Sequence, residues 1–268
     1  MNNINYLGNL SAQKLARIYY YCDIGLAVYG NGSNVDMPDK FYDYSSCGLV
    51  VLSSLKGELK DVIEENNLGY YMSYFFILNK NNFVCRALDN RMGGFMIAEV
   101  ARLLKENKKQ LPFGLYITNS VQEEIGLRGA EMITHTIKPD IAIVTDVCHD
   151  TTTPMIDKKK EGETISGAGP VISYAPAIQN NLRELVVATA TKNKIPFQRL
   201  AASRATGTDT DAFAYSNGGV PSALISLALR YMHTTVEMVH KDDVENVIKL
   251  IYETLLSIKD GESFSYFK

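Results

Sequence analysis

Long apolar runs, paired cysteines, early histidines and an excess of basic charge are all missing from this 268-residue chain. No stretch approaches the roughly 18 consecutive apolar residues that mark a membrane helix. The opening MNNINYLGNL lacks the basic-then-apolar order of a signal peptide. A cytoplasmic protein with no membrane partner is therefore expected. Cysteine is limited to Cys22, Cys47, Cys85 and Cys148, scattered without CxxC spacing. That argues against a disulfide framework or a zinc finger and for reduced thiols. Of 27 basic and 30 acidic side chains, five and eight fall in residues 1–72, which carry the whole net charge of −3, and the remainder holds 22 of each sign. Neither part has the basic footprint of a nucleic-acid partner.

What remains is an ordinary globular composition, 46% hydrophobic and 21% charged, long enough for one large or two modest domains. The first part alternates helix and strand signals. Ser11 is placed to cap a helix over Ala12–Tyr21, with Leu15, Ile18 and Tyr19 on one face. Short strands are expected at Asp23–Tyr29 and Leu49–Ser53, helices at Asp39–Ser46 and Lys56–Glu65, and a loop at Gly30–Asn34. Such alternation means α/β. The aromatic run YYMSYFFILNK at 70–80 breaks the rhythm, and a seam is placed at about 73–80.

Beyond the seam the pattern restarts with a strand at Phe83–Ala87. A helix follows, with Phe95, Met96, Ala98, Leu103 and Leu104 on its expected buried face. Further strands are predicted at Leu115–Thr118, Ile141–Thr145, Val171–Tyr174, Phe197–Ala201 and Ala223–Leu227. Helices are predicted at Gly129–Thr136, Ile178–Asn193 and Asp243–Ile258.

Four segments place an acid or a histidine at a strand end or loop, where active sites of open α/β sheets gather. They contain Asp89, the pair Glu123-Glu124, Asp146 and His233. Singly, each has a plain alternative. Asp89 could cap its helix, the glutamates could be a solvated turn, Asp146 could end a strand at the surface, and His233 could be a packed or exposed residue. Together they suit a two-metal hydrolase. Divalent cations take carboxylate oxygen and imidazole nitrogen and leave a position for water, and a nearby carboxylate that does not coordinate removes the water's proton. Adjacent glutamates can divide those roles because neighbouring extended side chains point apart.

The order R-A-L-D-N-R-x-G, E-E-x-G-x-x-G-A, T-D-V, G-T-D-T-D-A and R-Y-x-H over about 81–268 resembles peptidase family M42, the cobalt- or zinc-dependent aminopeptidases. The resemblance implies a mixed sheet flanked by helices and hydrolysis of N-terminal peptide bonds. It makes Asp89 the bridging ligand of two metals, Glu124 and His233 ligands of one, and Asp146 a ligand of the other. It makes Glu123 the general base and Gly207-Thr208-Asp209 part of the substrate cleft. A cis peptide at Asp89–Asn90 is also implied. The family carries a further metal-binding histidine in an H-x-D segment near its N-terminus, followed by an inserted dimerisation domain. Here no histidine precedes His135, and only the last strand of that insertion, about Phe75–Ala87, is expected to remain. His135, His149 and His240 are not obvious substitutes, although His149 lies near Asp146. One tight and one weakened metal site, impaired activity and loss of the family's oligomer are the corresponding expectations.

Residues 5–70 resemble part of another family. Y-L-G-N-L-S, C-D-I-G-L, M-P-D-K-F-Y-D-Y-S-S-C-G-L, S-L-K-G-E-L and E-N-N-L-G-Y are similar to the C-terminal domain of GT4-type (GT-B) glycosyltransferases. That resemblance implies an incomplete Rossmann-like α/β fragment in which Asp43 would contact a nucleotide sugar. Asp43 as a plain polar helix residue is the alternative. A fusion of two gene fragments is expected. An inactive remnant and a nucleotide-sugar-binding module stand as the other functional readings.

Overall fold

The computed structural model describes residues 11–19, 22, 24–27, 50–53, 69–71, 76–234 and 236–267. The chain divides into two compact units, residues 1–74 and 75–268. In the first, helix α1 (Ala12–Tyr19) precedes strands β1 (Ile24–Ala27), β2 (Val50–Ser53) and β3 (Gly69–Tyr71). They form a parallel sheet in the order β1-β2-β3, with Ile24 opposite Val50 and Val51 opposite Gly69. The apolar β2, VVLS, sits at the centre and buries Val51 completely, as a strand with neighbours on both sides should. The expected loop Gly30–Asn34, the helices at 39–46 and 56–65, and Asp43 and Cys47 lie outside the described residues.

The second unit opens with β4 (Phe76–Leu78) and β5 (Asn82–Cys85), followed by the long helix α2 (Leu88–Glu106) and helix α3 (Arg128–Ile137). Then come β6 (Ala142–His149), the single turn α4 (Lys158–Glu161), β7 (Val171–Tyr174), α5 (Asn180–Lys192) and β8 (Gln198–Ala201). Helix α6 (Asp209–Tyr215), β9 (Ser222–Leu229), β10 (Glu237–His240) and α7 (Lys241–Ser257) complete it. The main sheet runs β6-β9-β7-β8. Strand β9 is parallel to β6 and antiparallel to β7, and β7 is parallel to β8. A small antiparallel sheet, β10-β5-β4, lies beside it, with Glu237 opposite Cys85. This is the mixed α/β architecture expected of the larger part.

Burial follows from the side-chain pattern. Every residue of β9, SALISLAL, is buried, because the strand is central and covered on both faces. Along β6 the odd positions Ile143 and Val147, like Ile141 just before it, face the large core built with α2, α5 and α7. The even positions Ala142 and Val144 face Ala130, Phe213 and Val220 on the α3–α6 side. Alternation therefore directs Asp146 to that second side, at the C-terminal half of the strand.

The structure differs from the sequence expectations in three respects. Leu115–Thr118 is irregular rather than a strand, and no described residue pairs with the outer edge of β6. In α2, Phe95 is 49% exposed and Ala98 is also exposed. The buried stripe is Met92, Met96, Val100 and Leu104, a row of i, i+4 neighbours that sets the face toward β6 and α7. Helix α6 and strand β10 were not anticipated. Each is too short to show a period, and neighbours hold both in place. Among the described residues, no helix is long and apolar enough to cross a membrane. Cys22 and Cys148 are free thiols, and burial pushes Cys148 up to about 12.

Candidate metal centre

The site gathers at the junction of the two sheets. Strand β5 ends at Cys85, the chain turns through Ala87 with φ +55°, and Asp89 opens α2 with non-helical torsions. The Asp89–Asn90 peptide is cis, as the resemblance implied. Asp89 does not cap the helix, so the plain alternative for it fails. Asn90 locks the turn instead: its Nδ2 donates to the Thr145 carbonyl at 2.8 Å, and its Oδ1 accepts from the Gly93 N–H at 2.8 Å. A Cβ at Gly93 would lie 2.5 Å from Asn90 Oδ1, so a side chain there would push this amide out of place.

Glu123 and Glu124 stand in the loop before α3, between Gln122 and Leu127, both with positive φ. The backbone of Gly129 supports this loop by donating to the Val121 carbonyl at 2.9 Å, an approach that leaves no room for a side chain. His233 lies in the turn between β9 and β10, again at positive φ, as does Tyr231. Left-handed non-glycine residues thus cluster around the candidate ligands, where the surroundings hold them in place.

The result is a tight group. His233 Nε2 lies 3.0 Å from Asp89 Oδ2 and 3.4 Å from Glu124 Oε2. One ligand atom from each of Asp89, Glu124 and His233 falls within 4.8 Å of the others. Asp89's side chain is only 8% exposed, whereas those of Glu124 and His233 are 56% and 62% exposed, and Glu124 lines a cleft. That cleft has a volume of about 1300 Å³, and Asp89, Glu123, Glu124, Asp146 and Asp209 all line it.

Burial raises the carboxyl of Asp89 to about 6, with Glu124 adding to the shift and His233 opposing it. Glu123 is raised to about 7, first by burial and then by the charges of Glu124, Asp209 and Asp89. Asp146 is buried on β6, and burial lifts it to about 8 against the N–H of Val147, which donates to its Oδ1 at 2.8 Å; Glu123, Asp89 and Asp209 add repulsion. Acids crowded in this way are stabilised together by a cation. Two carboxylates and an imidazole are a donor set suited to Zn²⁺ or Co²⁺, so the residues fit the metal that the resemblance implied.

The other expected residues are placed less tightly. Asp146 stands outside the three-residue group, although it feels the charges of Asp89 and Glu123. Asp209, at the start of α6, is likewise raised by burial; its Oδ2 accepts from Ser120 Oγ and its Oδ1 is buried without a partner. Thr208 caps α6, and Gly207 sits at φ +72° with its N–H donating to Asp211 Oδ2 at 3.0 Å; neither lines the cleft. The chain has one H-x-D triplet, His240-Lys241-Asp242. Its histidine caps α7 through Nδ1, at 3.2 Å from the Asp242 N–H, so it is used structurally.

Two acids escaped the sequence reading. Asp211 accepts the N–H groups of Thr206 and Gly207 and so shapes the 206–208 loop. Glu237 accepts from the backbones of both Asp89 and His233. Only its position four residues after His233 could have pointed to Glu237, and that spacing has no general meaning.

The M42 glutamyl aminopeptidase family model matches residues 50–250. The chain belongs to that family. It is 34% identical over 220 residues to the lysyl aminopeptidase of Pyrococcus furiosus, covering 81% of this chain and 61% of that protein. It is 33% identical to the glutamyl aminopeptidase of Lactococcus lactis, over 70% of this chain and 52% of that one. Among solved structures, the TET aminopeptidase of Thaumarchaeota archaeon SCGC AB-539-E09 superposes with a TM-score of 0.64 at 29% identity, covering 72% of this chain and 57% of that one. An aminopeptidase of Desulfurococcus kamchatkensis gives 0.65 at 25% identity, over 77% of this chain and 59% of that one. The chain therefore spans between half and two thirds of the length of these M42 relatives. The family match begins at residue 50, within the part that resembled a glycosyltransferase, and it lends no support to that second resemblance.

Proposed function

We propose that this M42 chain is a metal-dependent aminopeptidase that hydrolyses the N-terminal peptide bond of peptides. The observation that carries this reading is the convergence of Asp89, Glu124 and His233 within 4.8 Å, with Glu123 lining the same cleft. A bound Zn²⁺ or Co²⁺ would polarise the scissile carbonyl and acidify water.

Asp89, Glu124 and His233 would hold the cation, and their two acids would balance its charge. Glu123 does not ligate. Its carboxyl, raised to about 7, can take a proton from water near neutral pH and return it to the leaving amine. Asp146 together with Asp89 would offer a second position with two carboxylates and no imidazole, and such a position would bind a second metal more weakly. Asp209, which lines the cleft, would face the substrate, with Gly207 and Thr208 shaping the loop behind it.

Aminoacyl-p-nitroanilide hydrolysis with added Co²⁺ or Zn²⁺, paired with elemental analysis after exhaustive dialysis, tests this. One retained metal and measurable, weak hydrolysis are expected. Absence of both would leave the fold without this function, and two retained metals with full activity would show that a further side chain completes the second site.

A further inference from the structure

Glu237 is 2% exposed, and both of its carboxylate oxygens are used. Its Oε2 accepts the main-chain N–H of Asp89 at 3.0 Å, 148 residues away in sequence. Its Oε1 accepts the main-chain N–H of His233 at 2.9 Å, four residues away. The pairing of β10 with β5 puts Glu237 opposite Cys85, on the strand that leads into Asp89. The mutual bonds of Arg230 and Met238, at 2.9 and 3.1 Å, close the base of the turn that carries His233.

Burying a carboxylate is costly, and hydrogen bonding to fixed dipoles offsets that cost only where the geometry is good. If the role of Glu237 were simply to satisfy local backbone, its partners could be any N–H groups nearby. Both instead belong to candidate metal ligands that reach the site from opposite ends of the unit. A metal tolerates ligand distances within only a few tenths of an ångström, and both positions lie in irregular backbone, Asp89 with non-helical torsions and His233 at φ +61°. We propose that Glu237 is a positioning residue for the metal centre: its carboxylate clamps the backbones of Asp89 and His233, setting the separation of their side chains before the cation arrives. This rests on the reading of Asp89, Glu124 and His233 as metal ligands. Glu237 itself does not coordinate and is absent from the ligand group.

The full chain offers a matched control. Asp243, also buried, accepts two main-chain N–H groups, from Gly167 at 2.6 Å and Gly169 at 2.8 Å, and bonds to neither ligand backbone. Co²⁺ is titrated into metal-free wild type, Glu237→Gln, Glu237→Asp and Asp243→Asn at a temperature where circular dichroism shows each folded. The visible Co²⁺ bands report coordination. Glutamine places an amide N–H₂ against one of the two donors, and aspartate keeps the charge but shortens the reach. Both should weaken Co²⁺ binding about 10–100-fold and alter the bands, the range usual for loss of a group that orients ligands. Asp243→Asn should lower the melting temperature yet leave Co²⁺ affinity within about twofold of wild type, since it holds no ligand.

If Glu237→Gln binds Co²⁺ as Asp243→Asn does, Glu237 serves stability alone and the inference is overturned. If Glu237→Gln does not fold, Glu237→Asp decides, and wild-type affinity there overturns it equally. If wild type itself takes up no Co²⁺, the metal reading fails and the clamp falls with it.

Discussion

Glu123 and Asp146 illustrate how burial and crowding set up chemistry at single residues. Glu123→Gln keeps the shape and removes the proton acceptor, so hydrolysis should drop about 10²–10⁴-fold, the usual worth of a general base, while Co²⁺ uptake is unchanged. Equal loss of both in the same titration would make Glu123 a ligand. In the metal-free protein, Asp89, Glu123 and Asp146 are raised to about 6, 7 and 8, from ordinary values near about 4. Their folded-state pKa values exceed the unfolded ones, so the folded state binds more protons between about pH 4 and 8. Stability is therefore fully present below about pH 4 and falls as pH rises through those folded values. Melting scans in a chelator from pH 5 to 8 should show this decline. Asp146→Asn should flatten it and raise the melting temperature at pH 8, since asparagine still accepts from the Val147 N–H. A profile that climbs with pH would mean the acids are paired more favourably than their surroundings indicate.

At the scale of elements, α2 and α3 connect core packing with the site. The α2 stripe Met92, Met96, Val100 and Leu104 anchors the helix whose first turn presents Asp89. Met96 is fully buried, so Met96→Ala should cost about 2–5 kcal/mol in denaturant unfolding. Phe95→Ala, on the exposed side, should cost far less. Helix α3 supports the Glu123–Glu124 loop by close backbone approach. A Cβ at Gly129 would lie 2.3 Å from the Val121 carbonyl oxygen, so that loop has to move if a methyl is added. Gly129→Ala should lower stability by about 1–3 kcal/mol, as overpacking does. It should also weaken Co²⁺ binding through displaced Glu124. Unchanged metal affinity would show that the loop's position does not depend on this contact.

Across the whole molecule, the larger unit has an open side. No described strand covers the outer edge of β6, and the neighbouring segment exposes Leu115, Tyr116, Ile117, Val121 and Ile125, with Tyr116 69% exposed. Free strand edges beside apolar surface favour association. Light scattering should show concentration-dependent, heterogeneous growth that Tyr116→Asp reduces, whereas a uniform closed particle would indicate that another surface directs assembly. The matched relatives are longer than this chain, which covers 61% and 52% of two of them. Because a ligand that binds only the folded state stabilises by mass action, Co²⁺ at 100 times its Kd should add about 2.7 kcal/mol of stability.

The amino-acid order by itself determined the α/β alternation, most strand and helix positions, and the five motifs that place the chain in its family. Those are local signals: period, capping chemistry and short runs of residues whose spacing survives folding. Through the family resemblance it also pointed to Asp89, Glu124 and His233, whose ligand atoms the fold brings within 4.8 Å of one another. Only the tertiary structure decided which acids share a charge field and how far each is desolvated, and therefore that Glu123 and Asp146 are raised rather than ordinary. It turned α2 so that Met96 faces inward and Phe95 outward, because packing against β6 and α7 outweighs the one-residue ambiguity of a helical period. It left Leu115–Thr118 unpaired, since strand propensity forms no ladder without a neighbour. And it brought Glu237 beneath both Asp89 and His233, a juxtaposition made by β10 pairing with β5, with 148 residues of chain between one donor and its acceptor.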